Sequence, residues 1–212
     1  MENSQTTTHM SIFVGSLTVA GRCYPFGAES KRQCLRMIAA FICEMADKHA
    51  AHEERYPDLA LYCPYWYSGV YVTPDIRALA SEAWVDPAAQ DDVMKNALDG
   101  YFIDPNVKIT SFVSPTPVPV LGRTFGRTLF IATLEGGDVL TACVATERET
   151  ARHWLTEYVA QTLGSALGTP DRNAPAGINH ARKKCLLHVG SLPLSPNLDM
   201  TLSLAALTPQ AA

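Results

Sequence analysis

The chain has 212 residues, 47% of them hydrophobic and 18% charged, and a formal net charge of -4. That balance suits a globular core and excludes disorder in bulk. The mild charge argues against a nucleic-acid binder working through a basic surface and is too small for an acidic phosphate mimic, so nucleic acid is not expected as a direct ligand.

Residues 1–10 read as a polar tail, with neither the basic start nor the apolar run of a secretory signal. No apolar stretch is long enough to cross a bilayer without a break by Arg, Gly or Pro, so a cytoplasmic protein with no membrane contact is expected. The first patterned stretch runs from Ile12 to Lys48. Ile12-Phe13-Val14-Gly15-Ser16-Leu17 is a strand pattern, Ala20-Gly21 a turn, and Ser30-Lys31-Arg32-Gln33 a capping box. The helix behind it carries Cys34, Ile38, Phe41 and Met45 on one stripe, broadened by Leu35 and Ile42.

A charged hinge, residues 47–55, is expected next. His49 and His52 share a helical face there if the helix extends so far, with Glu53 beside them, which suits a divalent ion or simply a solvated helix end. Tyr56-Pro57-Asp58 opens a loop. Tyr62, Tyr65, Trp66, Tyr67 and Tyr71 then crowd into a segment broken by Pro64 and Gly69, the most unusual local composition in the chain. One regular strand face cannot hide them all, so they are either core or the anchors of a protein-protein interface, and they are the expected partner-binding residues.

Thr73-Pro74-Asp75 caps a short helix with Ile76, Leu79, Ala80, Ala83 and Trp84 on its apolar face, and Asp86-Pro87 starts a second one through Val93, Met94, Ala97 and Leu98. Val107 to Val113 alternates like a strand. Ser114-Pro115-Thr116-Pro117-Val118-Pro119-Val120 reads as a polyproline-type linker between halves. The first pattern then returns: strand Leu129 to Leu134, turn Glu135-Gly136-Gly137-Asp138, strand Val139 to Ala145, capping box Thr146-Glu147-Arg148-Glu149. Its helix has Ala151, Leu155, Tyr158, Val159 and Thr162 on one face, with Gly164 and Gly168 available to end it. After a turn-rich loop at 168–177, Lys184 to Val189 and Asp199 to Leu204 read as two further strands, and 208–212 as a tail.

The expected class is α+β, with two β-hairpin-plus-helix units, an internal duplication being one explanation of their likeness, and a helical insert between them. The division is 11–106 and 107–207, or one continuous domain. The six cysteines read as reduced thiols, mostly buried. His180, Cys185 and His188 are the best zinc candidates, yet on a strand Cys185 and His188 point to opposite faces, so no metal or cofactor is expected. Cys63, or Cys143 with His153, is the candidate nucleophile, but no oxyanion-type glycine cluster accompanies either. Gly122 to Arg127 lacks the glycine spacing and the Lys-Ser/Thr end of a phosphate loop. The expected function is binding of another protein by a non-enzymatic inhibitor or adaptor, such as a phage or plasmid accessory protein acting against host defence machinery. The alternatives are a small cysteine-dependent hydrolase or transferase, and a self-associating protein that forms a homodimer through its strand edges.

Overall fold

Both stretches read as hairpins are hairpins. The computed structural model describes residues 10–19, 22–55, 74–81, 109–122, 128–136, 139–166 and 186–207. In these, β1 (Ser11–Val19) and β2 (Arg22–Ala28) lead into α1 (Lys31–Arg55), and α2 (Pro74–Ala80) follows. Then come β3 (Ile109–Val113), β4 (Val118–Leu121), β5 (Phe130–Gly136), β6 (Val139–Ala145), α3 (Arg148–Ala166), β7 (Leu186–Ser191) and α4 (Pro196–Leu207). The chain is an α+β protein whose seven described strands form one sheet in the order β2-β1-β4-β6-β5-β7, with β3 also on β1.

The two units share a connection pattern and a register. β1 lies between β2 and β3, antiparallel to both, as β5 lies between β6 and β7. Phe13 faces Ala28 and Phe130 faces Ala145, while the helices start at Lys31 and Arg148; 130 less 13, 145 less 28 and 148 less 31 all give 117. Strand alternation then sorts the side chains. Leu17 and Phe26 pack with Leu35, Ile38, Ala39 and Ile42 of α1, and with Ile76 and Leu79 of α2. Ala132, Leu134 and Ala145 pack with Ala151, Leu155 and Val159 of α3. The opposite faces of the two hairpins meet each other, and Ile12, Val14, Leu129, Ile131 and Val144 share one buried cluster.

The prolines at 115 and 117 do not make a linker. β3 and β4 run as one interrupted strand along β1, with residues 114–117 bulging between the Gly15–Val113 and Ile12–Val118 pairs. Ser114 mends the gap: its N–H donates to the Val14 carbonyl at 2.8 Å and its hydroxyl accepts the Val14 N–H at 3.1 Å. Polyproline and β backbones differ little in dihedral angle, so neighbouring edges decide which forms. Here β1 stands on one side of β4 and β6, parallel, on the other. The reciprocal junction follows β7. Leu192 N–H donates to the Leu129 carbonyl, Gly27 N–H to Pro193, and Ser195 N–H to Gly27, each at 2.8 Å, and Leu194 bridges Gly27 in parallel. The two outer strands are thereby tied together and the sheet closes on itself.

Three local expectations need correction. Asp199 to Leu204 is helix, not strand: Pro196 sits at the first helical position, Ser195 Oγ accepts the Leu198 N–H at 3.3 Å, and Leu198 and Leu202, four apart, plug the shared interior. The hinge at 47–55 is the continuing last turns of α1. Of the two glycines available to end α3, Gly164 lies within it, the helix running to Ala166. Thr146 does not cap α3; its N–H and its hydroxyl both donate to the Leu121 carbonyl, at 2.9 and 3.5 Å, tying the start of α3 to β4. Ser30 does cap α1, accepting the Gln33 N–H at 3.1 Å.

Candidate functional site

An open trough of about 850 Å³ lies between α1 and α2. α1 has 25 residues, about 37 Å of helix, and its apolar stripe is spent on the sheet, leaving Ala40, Glu44, Asp47 and Lys48 outward. The seven-residue α2 buries Ile76 and Leu79 against it and turns Arg77 to solvent. Arg77 Nη2 donates to Asp47 Oδ1 at 2.7 Å, joining the two helices across the trough. That hydrogen bond leads in holding the Asp47 carboxyl below the usual aspartate range, against a smaller effect of burial. Ala40, Ala51, Ala78 and Ala80 give the walls a low profile beside these charges. A shallow surface of small residues with charges at its margin can receive a helix or a loop of another chain.

The five aromatic residues expected to bind a partner, Tyr62, Tyr65, Trp66, Tyr67 and Tyr71, lie outside the described residues, as do Cys63, His180, Cys185 and the second helix of the insert. Their chain segment nonetheless leaves the described fold at Arg55, the end of α1, and re-enters it at Pro74, the start of α2, so both of its ends are fixed at the two helices that form the trough.

Cys143 and His153 do not come together. Cys143 is buried under α3, and burial pushes its thiol up to about 12, whereas His153 is on the solvent side of α3, where its Nε2 lies 3.1 Å from Glu157. Cys34 is likewise pushed up to about 12, chiefly by burial, and donates from Sγ to the Phe13 carbonyl at 3.3 Å. Neither sulfur is a thiolate near neutral pH. His188 stands on β7 opposite Thr133, on the interior face of the sheet. No group of three or more His, Cys, Asp or Glu among the described residues is placed to hold a metal ion.

Fold and surface define a class: an α+β protein with a closed sheet, a helix on each outer side, and an open trough on one of those sides. No protein-family model matches the chain, and no curated protein or solved structure matches it. No helix among the described residues is long and apolar enough to cross a membrane.

Sequence reasoning missed the trough. Asp47 and Arg77 are thirty residues apart and read locally as a hinge and an ordinary surface cation. The signal available was that Ala46 to Ala51 holds no Gly or Pro, so nothing there stops α1 short of the trough.

Proposed function

We propose that this chain acts by binding another protein, as a cytoplasmic inhibitor or adaptor, at the face where α1 and α2 meet. The observation that carries the reading is the trough itself: small side chains and a charged margin, with an aromatic-rich segment tethered at both ends to the helices that form it. Aromatic residues are enriched among the anchors of partner sites. The raised thiol of Cys143 weighs against a nucleophile there.

The test is capture of a binding partner by the tagged chain and by Tyr65→Ala, Trp66→Ala and Ala40→Arg. Ala40 is exposed on the trough wall, so an arginine there blocks a docked chain with little effect on folding. The reading requires all three variants to melt like the wild type and to lose the partner. Unfolding of the two aromatic variants assigns the segment to the core instead, and a wild-type chain that captures only its own copies makes the protein a homodimer.

A further inference from the structure

The closed sheet has one split seam with polar chemistry in it. β2 meets the chain just past β7 at the Gly27–Leu194 bridge, and toward Arg22 and Leu186 no described ladder joins β2 to β7. A cleft of about 390 Å³ opens there, and Arg22, Cys23 and His188 are in its lining. Ser16 and Thr133, which occupy corresponding positions in the two units, are both 3% exposed and converge on Cys23. Their hydroxyl oxygens lie 3.1 and 3.5 Å from its sulfur, and either hydroxyl can donate to it. His188 is the direct cross-strand neighbour of Thr133, so its side chain shares that interior face. Its ring lies over Gly190, where a Cβ would stand 2.9 Å from Nε2, so the missing side chain is what makes room for it. Burial, assisted by the Arg148 charge, holds the imidazole below its ordinary range, so the ring is neutral, though a weaker base than a free imidazole.

The counterpart seam, between β6 and β3, is not furnished in this way. The residue opposite Ser16 is Phe112, where Thr133 has His188, and the residue opposite Glu135 is Leu140, where Thr18 has Cys23. Thiol, imidazole and guanidinium therefore belong to one seam alone. Cys23 differs from Cys34 and Cys143 in being partly open to solvent, and from the partly open Cys43, which lines the trough between α1 and α2, in having two hydroxyls for neighbours.

We propose that the cleft at the open end of the β2–β7 seam is a thiol-exchange site, at which Cys23 forms a mixed disulfide with a small anionic disulfide of the glutathione type, oriented by Arg22 and deprotonated by His188. His188 takes the Cys23 proton, and the Ser16 and Thr133 hydroxyls donate to the resulting thiolate. The thiolate attacks one sulfur of the incoming disulfide. The S–S bond breaks, a new one forms to Cys23, and the departing thiolate leaves with the proton returned by His188. One disulfide is consumed and one is formed, so no further oxidant is needed. The reaction is independent of the partner-binding reading above.

The native chain is incubated with glutathione disulfide near neutral pH and followed by intact-mass spectrometry and peptide mapping, and again with Cys43→Ser, Cys63→Ser and Cys185→Ser introduced to isolate the signal. The expected product carries one glutathione, on Cys23, removable by dithiothreitol. His188→Gln, with an unchanged melting temperature, slows its formation by roughly tenfold. Arg22→Gln slows the reaction with glutathione disulfide but not with uncharged hydroxyethyl disulfide. An unmodified Cys23 in the native wild-type chain overturns the proposal. So does a rate indifferent to His188→Gln, and equal slowing of both disulfides by Arg22→Gln overturns the anionic selectivity.

Discussion

Among the described glycines, Gly122 is the one with a positive φ. Its φ is +123°, and a Cβ there would run into the Thr146 hydroxyl, so the chain can leave β4 beside the start of α3 only with glycine at this place. Gly122→Ala is expected to cost about 1–3 kcal/mol, read as a lower urea midpoint. Thr146→Ala in the same chain relieves the clash but not the dihedral, so recovery should be partial. Glu29 holds the matching place in the first unit. Burial raises its carboxyl, but hydrogen bonds from Ser195, its own backbone and Asn197, together with the Arg36 charge, outweigh that and leave it below the usual glutamate range. A depressed carboxyl contributes stability that is present above its unfolded value and is lost as pH falls through the folded one. Urea midpoints should therefore fall from about pH 5 downward, and Glu29→Gln should flatten that fall. His188, held neutral, contributes a loss of the same sign nearer pH 6, present in both proteins.

Among the elements, α4 is the one whose removal the closed sheet would feel most. Its Leu198 and Leu202 are 4% and 1% exposed in the interior shared by both units, and Ser195 joins its first turn to Glu29 and, through its own N–H, to Gly27. Leu202→Ala is expected to cost about 2–5 kcal/mol as a core truncation. Ser195→Ala removes a cap and a hydrogen bond to a carboxylate, about 1–3 kcal/mol together. Both are measurable as shifts of the urea midpoint without a change of slope. If Ser195→Ala proves neutral, the tie between α4 and β2 rests on the backbone bonds at Gly27 alone.

For the whole molecule, the shared cluster of Ile12, Val14, Leu129, Ile131 and Val144 makes each hairpin the other's core. The two helix-facing clusters are private to their units, but neither hairpin can cover its inner face without its counterpart. Calorimetry should accordingly show one unfolding transition with matching calorimetric and van't Hoff enthalpies. Ile131→Ala should reduce hydrogen-exchange protection in β1 as well as in β5. Two separate transitions, or loss of protection confined to the second unit, would mean that the halves are stabilised independently.

The sequence by itself determined the local pieces: two hairpins, the caps and apolar stripe that make α1, the faces of α2 and α3, and the α+β class. Each depends on residues within a few positions of one another, where turn chemistry, capping and periodicity act. It did not determine what stands beside Val118 to Leu121, because an extended proline-rich backbone becomes a strand only when two edges are offered to it, and those come from β1 and β6. Nor could it choose helix over strand at Asp199, where Met200, Leu202 and Leu204 alternate as a strand does. What decides there is the interior that Leu198 and Leu202 fill together, leaving Met200 59% exposed. The trough between α1 and α2 and the meeting of Ser16, Cys23 and Thr133 belong to the same category. They join Asp47 to Arg77, 30 positions apart, and Cys23 to Thr133, 110 apart, and only packing of the helices and closure of the sheet bring such residues within reach.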